Sequence, residues 1–341
     1  MAIKEGGVQQ ILVDTPKVEG LNCEGSHFHK INGHYYLLLI QWPKTGTGRR
    51  IQWCYRCDNL LGEYTGRIIL DDDLGYRNNG VAQGGLFQAG GNWYAMLFQD
   101  RDTVGRCPVL IPVRWADGWP VPGENGKPPM ELTVPFAPRP AAPFTESDEF
   151  NYSENRLSHI WQWNHNPDNA GWSVTERPGW LRLKNRHCSQ GFERARNTLT
   201  QRAVGPCCTF ATRLDTSGML NGDCAGLAAL QYHFGYVGVC VDGHGKHLVM
   251  CTGDGEQEHR AASVPLGQDE VFLMVRFEFT GGKDMAGFYF SLDNQAWQQI
   301  GEPLSMVYKL EHFTGYRPAL FSYPTKTAGG FADFDYLRFE P

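Results

Sequence analysis

The stretch "EGSHFHKINGHYYLLLI" at 24–40 sets apolar and aromatic residues on two short runs separated by Asn32-Gly33. That dipeptide suits a two-residue turn whose central residues need positive φ, so the pattern predicts a β-hairpin. A polar start, a Gly-containing turn, an aromatic pair and an apolar run return 58 residues later: "QAGGNWYAMLF" at 88–98 echoes "KINGHYYLLLI" at 30–40. A strand–turn–strand unit recurring at that period points to propeller blades of about four strands each. Later in the chain, strand-like runs alternate with turns: "GWLRLKN", "CTFATRLD", "YVGVCVDG", "KHLVMCTG", "VFLMVRFEF", "AGFYFSLDNQAWQQIG" and "FADFDYLRFE". Such spacing predicts a two-sheet sandwich of the jelly-roll kind. Long helical periodicity is absent.

Between the two patterns lies "VPFAPRPAAPFTESDEF" at 134–150. Its clustered prolines fit neither a central strand nor a helix interior, so it reads as an extended connector. The chain therefore divides into 1–138 and 139–341, each long enough to bury a core.

Composition narrows the function. The formal net charge is −6 and basic runs are missing, which argues against nucleic acid or an anionic membrane surface as partner. Ten Trp and fourteen Tyr fit sheet packing, and as a second reading they fit stacking on the C–H faces of pyranoses. Ten Cys without regular spacing argue against a disulfide framework, and Cys54-Tyr-Arg-Cys57 lacks the second pair a zinc site needs. No apolar h-region opens the chain, so a soluble, cytoplasmic protein is expected.

One carboxylate stands out. Glu24 follows Cys23, precedes Gly25-Ser26 and lies just ahead of His27 and His29. A loop glutamate is ordinarily solvated; the alternative is a group held to move a proton. The two histidines, spaced i and i+2, suit one face of a strand, where with Glu24 they would offer an N/N/O metal set. In the other reading His29 faces away or caps the hairpin.

Together these motifs resemble glycoside hydrolase family 43, the five-bladed-propeller β-xylosidases and α-L-arabinofuranosidases. "CEGSHFHKINGHYYLL" is similar to the family's Glu-Gly-x-His stretch before a Lys-x-x-Gly-x-Tyr-Tyr hairpin. "GVAQGGLFQAGGNWYAMLFQD" resembles a later blade, and "VGRCPVLIPVRWADGWPV" the Gly-Arg…Gly-Trp-Pro signature. "IWQWNHNPDNAGWSVTERPGWLRL" and "FADFDYLRFE" resemble the concanavalin-like sandwich at the carboxyl end of many members. The implied fold is all-β, an incomplete five-bladed propeller followed by a jelly-roll sandwich.

The resemblance makes Glu24 the general acid of an inverting glycosidase, with Leu21, Cys23 and Phe28 as apolar walls that would keep it protonated. Arg106 would line the sugar subsite with a fork of donors, with His27 nearby and Trp42 as a stacking face. Gln83 stands where many members carry a histidine near a central cation, which makes calcium the expected ion rather than zinc. The expected substrate is a xylo- or arabino-oligosaccharide. The family's general-base Asp and its companion Asp belong to opening blades that this chain does not match, leaving Asp100 and Asp102 as the nearest substitutes. Inversion needs two carboxyls about 6.5–9.5 Å apart. A propeller short of blades would expose apolar faces and strand edges, so a homodimer covering the opening is expected. A lectin-like remnant without turnover is the rival reading.

Overall fold

The computed structural model describes residues 4–14, 23–43, 46–137, 140–255 and 257–341. It is all-β, and among the described residues no helix is long and apolar enough to cross a membrane. The chain forms two compact units, and Asp102–Gly105 groups with the second. The expected boundary at 138/139, like Leu21, lies outside the described residues.

The first unit is two four-stranded antiparallel blades. One is β1 (Glu24–Ile31), β2 (His34–Gln41), β3 (Ile51–Cys57) and β4 (Thr65–Leu70); the other is β5 (Ala82–Ala89), β6 (Asn92–Asp100), β7 (Arg106–Ala116) and β8 (Trp119–Pro122). Both follow simple meander order. The echo seen in the sequence extends to backbone detail. Asn32-Gly33 turn with φ of 50° and 85°, and Gly90-Gly91, 58 residues on, with 55° and 78°. The pairing register slips between Glu24 and His27, and again between Ala82 and Gly85. Inside these bulges Gly25 and Gln83 hold φ of 66° and 67°. Repeat mates are buried alike: Tyr36 with Tyr94, and Gln41 with Gln99. Tyr36, Leu38 and Cys54 of the first blade share one apolar core with Leu86, Leu97 and Ile111 of the second.

Gly25 is confined from two sides. An L side chain disfavours its left-handed φ, and an added Cβ would lie 2.5 Å from Gln83 Nε2. Gly25→Ala should lower stability by about 1–2 kcal/mol, read as a reduced urea midpoint with unchanged slope.

The second unit is an antiparallel sandwich. A seven-stranded sheet runs in the order Gln257–Pro265, Gly245–Asp254, His233–Asp242, Asp223–Leu230, Arg317–Pro324, Leu199–Thr200, Gln162–Trp163. The opposing nine-stranded sheet is centred on Cys207–Asp215, Glu270–Glu278 and Met285–Ser291. Leu227, Val237 and Leu248 of one sheet meet Phe210, Leu273, Val275 and Phe288 of the other in the core. Trp161 belongs to this core, stacked on Phe150 and donating Nε1–H to Asp148, while Trp163 packs against Trp172. A disulfide joins Cys224 to Cys240, directly opposite one another on adjacent strands. Cys54 is fully buried, and burial pushes its thiol up to about 12, so Cys54 offers no ready thiolate near neutral pH.

The outer face of the seven-stranded sheet is also covered. Phe192, from the segment 185–198, sits on Phe234 and Phe321 at ring-centre distances of 4.9 and 4.7 Å. Tyr236 and Tyr323 beside it donate their hydroxyls to Glu258. On the other sheet Asp333 is buried and accepts from Arg177 at 2.9 Å and twice from Arg182 at 2.8 Å.

Candidate functional site

The candidate site lies at one end of the paired blades, where the two bulges meet. Glu24 opens β1, exposed, opposite Ile40. The bulge beside it presses Gly25 onto the Gln83 side chain, so repeat-related positions of neighbouring blades touch here. Gln83 donates its N–H to Gln52 Oε1 at 2.7 Å. Gln52, fully buried, donates from Nε2 to the carbonyls of Leu39 and Trp53, which fixes the amide's orientation.

Behind this backbone lies a charged sandwich. Arg50 Nη1 stands 2.9 Å from Asp100 Oδ2, and Arg106 Nε 3.4 Å from Asp100 Oδ1. Both guanidiniums lie over the Phe98 ring, at 4.4 and 4.7 Å from its centre. Two cations can pack on one ring because its negative quadrupole and the Asp100 carboxylate offset their repulsion. Arg50 is only 7% exposed and also donates Nη2–H to the Gly80 carbonyl. Burial pulls its pKa down; Asp100 opposes this, Arg106 adds to it, and Glu24 also favours the charged form. Glu24, Arg50, Asp100 and Arg106 therefore share one electrostatic neighbourhood.

His27 and His29 do point the same way. Both rings reach the second blade at Gly85, where an added Cβ would meet His27 Nδ1 at 3.0 Å and His29 Nε2 at 3.2 Å. His29 Nε2 accepts the Leu86 N–H at 3.2 Å, so its ring clips one blade to the next as the Nδ1–H tautomer. That bond corrects the N/N/O ligand set: His29 is engaged structurally, and among the described residues no group of three His, Cys, Asp or Glu is placed to hold a metal. Burial first, and His27 second, lower the His29 pKa. A folded-state pKa below the unfolded value stabilises the fold fully above about pH 6.5 and loses that stabilisation as pH falls through the folded value. The urea midpoint of the first unit should thus fall between pH 7.5 and pH 5, and His29→Gln should flatten that dependence.

Of the other expected residues, Phe28 is 45% exposed and lies against Tyr35, so it does not wall Glu24 from water. Cys23 is half-buried. Trp42 directly follows β2, half-buried, at the repeat position of Asp100, outside the Arg50–Asp100–Arg106 group. Asp102 begins a short 3-10 turn that groups with the second unit. Sequence reasoning missed Arg50, Gln52 and Phe98. The available signal was the repeat itself: Phe98 is the mate of Ile40, whose strand partner is Glu24.

Comparison with known proteins adds a family. The model for the β-xylosidase C-terminal concanavalin A-like domain matches residues 147–340. A β-xylosidase of Formosa agariphila is 30% identical over 94% of this chain and 60% of its own length. The non-reducing end α-L-arabinofuranosidase BoGH43B of Bacteroides ovatus is 31% identical over 48% of this chain and 33% of its own. A solved structure described as a bifunctional GH43-CE of Bacteroides eggerthii superposes with a TM-score of 0.89, at 43% identity, over 98% of this chain and 43% of that one. The chain thus spans about half the length of such relatives.

Proposed function

The chain belongs to glycoside hydrolase family 43, and from that we propose that it releases terminal β-D-xylosyl or α-L-arabinofuranosyl residues from xylan- or arabinan-type oligosaccharides with inversion. The observation that carries this reading is the placement of an exposed carboxyl, Glu24, beside the Arg50–Asp100–Arg106 group. Glu24 protonates the departing glycosidic oxygen as the C1–O bond breaks. Arg106 donates to sugar hydroxyls, and the Phe98 ring and Asp100 hold its guanidinium in place. His27 and Gln83 flank the subsite, and Trp42 offers an apolar ring at its border. Asp100 faces two arginines with its two oxygens, which suits positioning rather than activation of water. The water-activating carboxylate of an inverting reaction is not assigned to a residue of this chain.

For a divalent cation the oxygen of Gln83 favours calcium over zinc. Among the described residues no group of three His, Cys, Asp or Glu is placed to complete a ligand set around it, so no step of the reaction is routed through an ion. The apolar side chains left exposed on the blades, Phe28, Ile68 and Met96, support a homodimer that covers them; a stable monomer by sedimentation at micromolar concentration would contradict it. A purely lectin-like role is less well supported, because Phe192 already covers the outer face of the seven-stranded sheet.

The test is hydrolysis of aryl β-D-xyloside and aryl α-L-arabinofuranoside by the chain, with product anomers followed by NMR. Turnover with inverted product is expected. Binding of pentose without turnover would establish the lectin-like reading instead.

A further inference from the structure

A cleft of about 170 Å³ opens on the sandwich beside the Phe192 plug, and its lining is cationic. Lys184, Arg186, Arg194 and Arg196 line it, and among the described residues the lining carries a single carboxylate, Asp168. The chain as a whole is acidic, at −6. Asp168 organises the cleft more than it neutralises it. Its Oδ2 takes Arg186 Nε at 2.8 Å and lies 3.2 Å from His187 Nε2, while Asn197 holds its main chain through both amide groups. Lys184 is ion-paired with Glu176 at one rim. Arg196 is fixed through Nε on the Asn166 carbonyl, and among the described residues it pairs with no carboxylate. Ser322, whose hydroxyl donates to buried Asn185, and Tyr323 complete the floor.

We propose that this cleft binds the carboxylate of a uronic-acid unit carried on a glycan chain. A site of this volume is smaller than the roughly 300–1,000 Å³ that takes a drug-sized ligand, so it suits one sugar substituent. Guanidinium forks match a planar carboxylate in two parallel bonds. Neighbouring hollows share its walls, one through Lys184, Asn185 and Arg186 and the other through Arg194 and Arg196, leaving room on both sides for the main chain of a polysaccharide. The choice of a glycan over another carboxylate rests on the proposed hydrolase reading; the cleft itself belongs to the second unit and needs no turnover to be tested.

The experiment is titration calorimetry on the full chain with three probes. These are a xylo-oligosaccharide bearing one glucuronate side group, the neutral oligosaccharide of the same length, and inorganic phosphate. The acidic oligosaccharide should bind, with the neutral one weaker by roughly tenfold or more, as expected for loss of a charge-assisted contact. Arg196→Gln, and the pair Arg194→Gln with Arg196→Gln, should remove that preference with an unchanged far-UV circular dichroism spectrum. Arg196→Lys, which keeps charge but loses the fork, should fall between. Equal affinity for the neutral probe, unchanged affinity in folded variants, or phosphate binding as tightly as the acidic glycan would each overturn the proposal. A chain that fails to hydrolyse aryl glycosides yet keeps the acidic preference would sink only the hydrolase reading.

Discussion

Glu24→Gln should lower kcat for aryl β-xyloside hydrolysis by about 10²–10⁴-fold, the usual worth of a positioned general acid, and should change KM little. Glutamine keeps the shape and the exposed position at the start of β1, so the fold is not perturbed. On the proposed reading, what it removes is the transferable proton. The loss should shrink for substrates whose leaving group needs no protonation, such as dinitrophenyl xyloside, and remain full for a simple alkyl xyloside. Arg106→Lys provides the contrast, because a lysine keeps the charge beside Asp100 but loses the fork. It should raise KM more than it lowers kcat. Equal activity of Glu24→Gln and the unaltered chain on alkyl xylosides would remove Glu24 from the chemistry.

Asp333→Ala is the second large expected effect, and it acts on stability. Its carboxylate is 2% exposed and takes three donors from two arginines that are themselves partly buried. Removing it leaves guanidinium groups without their partner in a poorly solvated place, which costs about 3–5 kcal/mol. Asp215 remains for Arg177 at 2.6 Å and Glu176 for Arg182 at 3.7 Å, so the lower end of that range is expected. For a unit of roughly 200 residues this is a fall in melting temperature of roughly 6–12 °C. Arg182→Met should cost less than Asp333→Ala, since it removes one of two cations and leaves the carboxylate bonded to Arg177. Melting curves that put the two variants in the reverse order would disprove this ranking.

The hairpin chemistry of the blades was readable because each signal was local. Asn32-Gly33 and Gly90-Gly91 specify their turns by φ alone, and the aromatic pairs set the faces. The strands that escaped notice lack alternation for physical reasons. Asp223–Leu230 is buried on both faces and built largely from small residues, so no polar position marks its period. Gln257–Pro265 is the opposite case, a sheet-edge strand exposed almost throughout, whose few apolar residues, Ala261, Ala262 and Val264, do not alternate with polar ones along its length. At the candidate site Glu24 and Arg106 were reachable through motif likeness. Arg50 was not, because it joins Asp100 from a distant part of the chain, and Phe98 was marked only by its place in the repeat. The wall expected from Phe28 failed for a related reason: the bulge after Glu24 breaks the simple count of which side chains share a face.

The Phe192 anchor has a consequence for handling the protein. Arg186, Arg194 and Arg196 offer trypsin three exposed cleavage points within one surface segment, yet the ring between them is pinned among Phe234, Tyr236 and Phe321. A protease needs several residues of slack backbone in its groove, and that slack exists only when the aromatic stake lifts out. The rate of nicking there therefore serves as a gauge of how often the covering segment detaches from an otherwise intact sheet.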